Sequence, residues 1–189
     1  MLQFSLDMEV DPPYAFLILI SPPDHIKQAI STLKKNFQNK YNVRTPWSIP
    51  HITVAQVLRP KGSFRRFFMD MKNTIRQIRS FDLLLWDYDH FEGSNTLFID
   101  VLNQQDFGKF RMAIEPIRKW HGIKSHYQAP AHGHLTIEKQ LPPPVFKKAI
   151  NEFKRYTYRK QFVVRELTVL CKGMADKKYS IYGKIPLAD

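Results

Sequence analysis

The chain has 189 residues, of which 43% are hydrophobic and 24% are charged. This composition predicts a folded globular domain and excludes an extensively disordered protein. A single cysteine, Cys171, excludes an internal disulfide and any metal cage built from several cysteines. Lys and Arg outnumber Asp and Glu by 29 to 17, and the net charge of +12 favours a polyanionic partner, above all nucleic acid.

The first half of the chain predicts a strand-helix-strand-helix-strand unit. The run YAFLILI (14–20) reads as a buried strand, and SPPD (21–24) opens a helix whose apolar residues recur at helical spacing to about residue 40. HITVAQVL (51–58) alternates as a strand. Ser63 is expected to cap a second amphipathic helix, and FDLLLWDY (81–88) completes the unit as a strand.

The second half repeats this order. TLFIDVL (96–102) predicts a strand, and an apolar pattern after it predicts a helix that Pro116 is expected to kink or shorten. HLTIEKQL (134–141) predicts the next strand, PPPVFKKAINEF (142–153) a helix, and FVVRELTVL (162–170) one further strand. YSIYGKI (179–185) predicts a final strand with no counterpart in the first half.

The spacing of the two halves indicates a duplication. Tyr14 lies 37 positions before His51, and Thr96 lies 38 positions before His134. We therefore expect an α+β fold: duplicated β-α-β-α-β lobes, with two antiparallel sheets facing a central cleft and helices outside. The whole chain (1–189) is interpreted as one bilobal domain with lobes at about 14–90 and 96–172 and an extra C-terminal strand at about 179–186.

The same short motif, His-x-Thr, occurs at matched places in the two halves, as PHITV (50–54) and GHLTI (133–137). On a strand, residues i and i+2 share a face, so His51 pairs with Thr53 and His134 with Thr136. The residues between and after them are apolar and belong to the opposite face. The pattern predicts that four polar side chains converge in the cleft.

Two histidines across a cleft suit acid-base catalysis, because one imidazole can accept a proton while the other donates one near neutral pH. Phosphodiester cleavage without a metal needs one group that accepts a proton and another that donates one. The hydroxyl groups of Thr53 and Thr136 can donate to the non-bridging phosphate oxygens.

These paired motifs, about eighty residues apart on matched strands, resemble the two-histidine (2H) phosphoesterase superfamily, and within it the 2′-5′ RNA ligase group, also described as RNA 2′,3′-cyclic phosphodiesterases. The resemblance implies metal-independent action on RNA or nucleotide 2′,3′-cyclic phosphates, or on 2′-5′ linkages, with no cofactor. It makes His51 and His134 the catalytic pair and Thr53 and Thr136 substrate-binding residues.

The second motif departs from the family pattern at Ile137, where many members have leucine, and at Lys139. Many members continue the second motif as H-x-T-L-x-R, whereas this chain has Lys139 in place of the arginine, which keeps the charge but loses the forked guanidinium. Lys139 is thus a candidate phosphate contact, although strict alternation sets it on the apolar side unless the strand bulges or ends there.

Three other functional interpretations stay open. The chain could be a non-catalytic basic RNA-binding module of the same fold, or a phosphodiesterase for a small cyclic nucleotide. A metal site would need His132, His134 and His126, but no carboxylate or cysteine falls at a helpful spacing, and we expect no bound metal.

The sequence also gives expectations for the aromatic and basic side chains and for the cellular location of the protein. Trp47, Tyr127 and Tyr182 are candidates to stack on a base, whereas Trp86 is expected in the core because its strand is apolar. Basic pairs such as Lys34 and Lys35 are interpreted as solvated helix faces. With no long apolar segment and one cysteine, we expect a soluble cytoplasmic monomer with no membrane partner.

Overall fold

The computed structural model describes residues 13–44, 46 and 48–189. Along this part of the chain the elements follow in the order β1 (Pro13–Ile20), α1 (Asp24–Tyr41), β2 (Ile52–Pro60), α2 (Lys61–Ile75), β3 (Phe81–Phe91), a 3-10 turn (Glu92–Ser94), β4 (Thr96–Val101), α3 (Gln104–Trp120), β5 (Tyr127–Gln128), β6 (His134–Glu138), α4 (Pro143–Phe153), β7 (Arg159–Val164), β8 (Glu166–Gly173) and β9 (Ser180–Pro186). The predicted α+β class is confirmed.

The strands form two antiparallel halves that meet at one place. Eight strands follow the order β7-β3-β4-β6-β2-β1-β8-β9, and the short β5 pairs with β2. The halves β7-β3-β4-β6 and β2-β1-β8-β9 are joined where Ile52 of β2 pairs with Leu135 of β6. The two expected sheets are therefore continuous through this pairing as one curled sheet.

Each half of the sheet contains strands from both halves of the sequence. β3 pairs with β4 and β7, although it comes from the first half of the chain. β8 comes from the second half and pairs with β1. The two halves thus exchange their third strands, and β2 and β6 occupy equivalent central positions.

The segment FVVRELTVL differs from its prediction as a single strand. It forms the end of β7 and the start of β8, which lie in opposite halves of the sheet and are separated by Arg165 alone. The sheet curls enough to bring its distant parts together, as the bridge between Arg79 and Ala188 also shows. The buried apolar residues are Phe162 and Val164 before the break and Leu167 and Val169 after it, so the period of two changes phase at the polar residues Arg165 and Glu166.

Two details of the helices also differ from the sequence prediction. α2 begins at Lys61 after Pro60, and the Ser63 hydroxyl donates to the Pro60 carbonyl from inside the first turn rather than capping the helix. α3 runs through Pro116 to Trp120, so this proline does not shorten it.

The two faces of the sheet have different surroundings. A row of paired residues across four strands, Ile20, Ile52, Leu135 and Ile99, is at most 1% exposed and belongs to the core under the helices. Burying each such side chain contributes about 1.5–3 kcal/mol. Residues next to these along each strand point to the other face, which carries the motif residues. None of the helices in the described ranges combines the length and apolarity needed to cross a bilayer.

Candidate active site

The two His-x-Thr motifs lie side by side at the centre of the sheet. Ile52 is the middle residue of the first motif, Leu135 is the middle residue of the second, and these two are partners in the antiparallel pairing of β2 with β6. Both are fully buried on the helix side. The polar residues that flank them in each motif therefore share the open face of the sheet.

This register opposes each histidine to the threonine of the other motif. One step from the Ile52–Leu135 pair in either direction sets His51 opposite Thr136 and Thr53 opposite His134. All four are half-buried. The two histidines are then diagonal neighbours, for which the spacing in a regular antiparallel pair is about 7–8 Å. The pairing thus brings the four motif residues together on one face of the sheet.

Both histidine rings are oriented in the same way. The Nδ1 atom of His51 lies 2.7 Å from the carbonyl oxygen of Ile49, and the Nδ1 atom of His134 lies 2.9 Å from the carbonyl oxygen of His132. A carbonyl can only accept, so Nδ1 carries the proton in each case. The Nε2 atom of each ring remains as the position that can take up or release a proton.

The surroundings of His51 favour its neutral form. Burial lowers its pKa, and the positive charges of Lys34, His134 and Lys139 lower the pKa further, while the bond to Ile49 opposes this shift. Since the charge of His134 acts on His51, the two rings are within electrostatic reach of one another. At neutral pH, His51 is therefore ready to accept a proton.

The surroundings of His134 differ because they include a carboxylate. Burial lowers its pKa and the charge of His132 adds to this, but the bond to the His132 carbonyl and the charge of Asp100 raise it. Asp100 is the strand partner of His134, and its Oδ1 atom lies 2.5 Å from Nε2 of His132. The two halves of the site thus differ in charge, which sequence symmetry did not reveal.

Lys139 lies near the motif residues because the strand is irregular. The pairing of β6 with β4 shifts register between Leu97 and Phe98, and β6 ends at Glu138. Glu138 is 4% exposed, whereas Lys139 is exposed. The bulge and the strand end release Lys139 from the apolar side, and its charge acts on His51.

Lys34 contradicts the interpretation of the Lys34–Lys35 pair as a solvated face. It is only 4% exposed, and its Nζ atom donates to the carbonyl oxygen of Ser48 at 3.2 Å and to the Ser48 hydroxyl at 2.9 Å. Lys35 is exposed as expected. Lys34 therefore anchors the segment that leads into His51, a role that its place in a helical run of charges does not signal.

Replacing Lys34 with Met is expected to raise the pKa of His51, because it removes a positive charge that lowers this pKa. Titration of the His51 ring by NMR, in the variant and in the unaltered protein, measures the difference. Lys35→Met is the matched control, since Lys35 is on the same helix but exposed. A His51 pKa that is the same in all three proteins would show that Lys34 has no effect on the protonation of His51.

The backbone before His134 is held by one glutamine. The amide of Gln104 donates to the Gly133 carbonyl at 2.9 Å and accepts from the Gly133 N–H at 2.8 Å. Gly133 also packs against the ring of Phe107, where an added Cβ would lie 2.7 Å from the nearest ring carbon. α3 thereby fixes the start of β6 and with it the position of His134.

The aromatic residues considered for stacking on a base lie in different surroundings. Tyr182 packs edge-on against Phe16 and Phe64 in the core, and Tyr127 packs against the core with the Arg118 guanidinium 5.1 Å from its ring centre. Trp47 lies outside the described residues. Trp86 was expected in the core but is 38% exposed, because it belongs to the open face of β3.

The histidines considered for a metal site are arranged differently from a ligand set. His132 interacts with Asp100, and His126 is an exposed loop residue with φ of 57°. Within the described ranges, no group of three or more His, Cys, Asp or Glu side chains is arranged to hold a metal ion.

The fold and the sequence both match known proteins. The family model for the 2′-5′ RNA ligase superfamily matches residues 22–173. The structure of E. coli LigT in its apo form aligns with a TM-score of 0.68 at 16% identity, covering 94% of this chain and 99% of LigT. TT0787 of Thermus thermophilus aligns with a TM-score of 0.68 at 13% identity, covering 91% and 97% of the two chains. Comparison with curated protein sequences gives no match.

At these identities the structural likenesses show a shared fold, while the family match covers most of the chain. The resemblance inferred from the paired motifs is thereby confirmed, and membership supports a phosphoesterase-type function. The chain belongs to the 2′-5′ RNA ligase superfamily.

Proposed function

We propose that this protein is a metal-independent phosphodiesterase that opens 2′,3′-cyclic phosphates on RNA or nucleotides, or cleaves 2′-5′ linkages, with His51 and His134 as its acid-base pair. The observation that carries the proposal is the Ile52–Leu135 pairing, which opposes the two motifs on adjacent strands. E. coli LigT has been seen in complex with 3′-AMP and with phosphate, which supports a nucleotide substrate here.

The proposed reaction needs one proton transfer at each histidine. A water oxygen attacks phosphorus while Nε2 of one histidine takes the water proton, and the bond from phosphorus to one ribose oxygen breaks. The other histidine gives its Nε2 proton to that oxygen, so the product is a phosphate monoester with a free ribose hydroxyl. Each positioned acid or base contributes about 10²–10⁴ in rate.

The other motif residues stabilise charge on the phosphate. The hydroxyls of Thr53 and Thr136 donate to its non-bridging oxygens, and hydrogen bonds to these oxygens act most strongly as negative charge builds up. Lys139 supplies a positive charge at the His51 side of the site. A lysine acts here as a point charge, without the two-pronged geometry of the family's arginine.

We assign the base to His51 and the acid to His134. Burial lowers the pKa of both rings; the charges of Lys34 and Lys139 lower the pKa of His51 further, whereas the charge of Asp100 opposes the lowering at His134. The anionic phosphate then raises the pKa of both rings on binding. His134, the ring beside a carboxylate, is the one that holds the proton in the complex.

A substrate with an activated leaving group tests this assignment. A nucleoside 3′-(p-nitrophenyl phosphate) releases nitrophenolate, which leaves without protonation. His134→Ala is expected to lose much less activity on this ester than on a cyclic phosphate, whereas His51→Ala loses similarly on both, because the attacking water or 2′-hydroxyl must still be deprotonated. Initial rates on the two substrates give the comparison, and the reverse pattern would exchange the two roles.

The proposed function itself is tested with purified protein and a panel of nucleoside 2′,3′-cyclic phosphates, cyclic-ended oligoribonucleotides and 2′-5′ dinucleotides, each with and without EDTA. We expect hydrolysis of at least one class, unaffected by EDTA and abolished in the His51→Ala/His134→Ala double variant. RNA binding with steep salt dependence and no hydrolysis of any compound would instead establish the non-catalytic RNA-binding module.

A further inference from the structure

A row of paired residues runs from His134 to the edge of the sheet on the open face. Asp100 of β4 is the partner of His134, Trp86 of β3 is the partner of Asp100, and Arg159 of β7 is the partner of Trp86. Paired residues on neighbouring strands share a face, so these side chains line the same surface as the motif residues. Trp86 lies two strand spacings, about 10 Å, from His134.

Trp86 and Arg159 form a partly exposed cation–π pair, called here the Trp86–Arg159 stack, at the end of this row. The guanidinium carbon of Arg159 lies 4.1 Å from the Trp86 ring centre. Trp86 is 38% exposed, and the Arg159 side chain is 58% exposed. The partly exposed Trp86 ring and the Arg159 guanidinium are thus presented together on the face that carries the motif residues.

The backbone at this stack is built to hold it in place. β3 bulges between Trp86 and Tyr88, with Asp87 at a φ of 57°. The Asp87 carboxylate accepts from the Tyr158 N–H at 2.8 Å and lies 3.8 Å from Nη2 of Arg159. Left-handed backbone at a non-glycine residue is found mostly where the surroundings require it. The bulge thus fixes Trp86 and Arg159 relative to one another.

We propose that Trp86 and Arg159 stack on the base of the nucleoside whose phosphate lies between His51 and His134, an inference that rests on the proposed function. Indole rings and guanidinium planes both serve as stacking surfaces for nucleobases. Asp100 lies between the stack and His134, so the ribose crosses a carboxylate that disfavours a second phosphate there. The row therefore fits one nucleoside rather than a polyphosphate or a continuing phosphate backbone.

The test compares three substrates that share the cyclic phosphate: a nucleoside 2′,3′-cyclic phosphate, a dinucleotide with a cyclic end, and base-free ribose 2′,3′-cyclic phosphate. Trp86→Ala is expected to raise KM about 5- to 100-fold for the first two and to leave the third unchanged. An unchanged KM for the nucleoside substrate overturns the proposal, as does an equal rise for all three. A rise for the dinucleotide alone overturns the assignment to the terminal nucleoside.

Controls separate stacking from folding. Trp86→Phe keeps an aromatic ring and is expected to retain most of the affinity. Trp120→Ala removes a tryptophan that is 86% exposed at the end of α3 and should leave KM unchanged. A KM that rises as much in Trp86→Phe or Trp120→Ala as in Trp86→Ala would contradict a stacking role.

Binding to a catalytically silent protein separates this proposal from the proposed function. In the His51→Ala/His134→Ala background, calorimetry measures the affinity of a nucleoside 2′,3′-cyclic phosphate with and without Trp86→Ala. A 5- to 100-fold weaker Kd supports the stacking site even where the unaltered protein hydrolyses nothing. An unaltered Kd, together with hydrolysis by the protein that retains both histidines, overturns the stacking site and leaves the phosphodiesterase intact.

Discussion

Replacing either His51 or His134 with alanine is expected to lower kcat on a nucleoside 2′,3′-cyclic phosphate by about 10²–10⁴-fold. In the proposed reaction each ring exchanges a proton through Nε2 in the same bond-breaking event, so the reaction slows strongly when either ring is missing. Both side chains are half-buried on the open face, and their loss leaves the apolar row of Ile52 and Leu135 intact. Steady-state kinetics and circular dichroism together show whether activity falls while the fold persists.

The double variant and a surface histidine complete this experiment. Residues that act as one unit are strongly non-additive, so the double variant should be little worse than the poorer single variant. His25→Ala alters an exposed histidine in the first turn of α1 and should retain full activity. Full activity in either the His51 or the His134 variant would refute the shared site.

Gly133→Ala is expected to destabilise the protein by about 1–3 kcal/mol, the usual cost of overpacking a filled core. An added Cβ would lie 2.7–2.9 Å from three ring carbons of Phe107. To relieve the clash, β6 must move away from α3, which also disturbs the two hydrogen bonds between Gly133 and Gln104 and the position of His134. Urea unfolding measures the stability loss, and kcat should fall in the same variant.

Gly108→Ala is the matched control for this glycine, and we expect the opposite sign. Gly108 lies inside α3, and apart from its chain neighbours and the helix's own backbone, no atom of the described residues lies within 4 Å of an added Cβ. Alanine in a helix interior is about 0.5–1 kcal/mol more favourable than glycine. Adding Phe107→Leu to Gly133→Ala should recover part of the lost stability. A Gly133→Ala protein as stable as the unaltered chain would show that the contact with Phe107 does not matter.

The part of the site that the sequence predicted follows from short-range geometry. A period of two along a strand places His51 with Thr53, and His134 with Thr136, whatever the rest of the fold does. Matched spacing in the two halves then makes the motifs equivalent. The sequence therefore placed the four motif residues on one face, although it could not give the register that opposes them.

The residues whose places the sequence did not predict depend on long-range packing. Lys34 occupies a position that looks like the polar side of an amphipathic helix, and only the neighbouring segment at Ser48 buries it. Trp86 looks like a core residue because its strand is apolar. The strand exchange, however, places β3 between β7 and β4, where Trp86 lies on the face of the sheet away from the helices. Lys139 was a candidate from the sequence on the condition of a bulge or strand end, and the structure has both at this place.

The central claim is that His51 and His134 act on one phosphate, and NMR titration of both imidazole rings with a nucleoside 2′-monophosphate tests it most directly. We expect the signals of both rings to shift with the same dissociation constant and the pKa of each ring to rise in the complex, because the anion stabilises the protonated imidazole. A ligand that shifts only one ring, or that shifts the two rings with different dissociation constants, would contradict a single site shared by the two histidines.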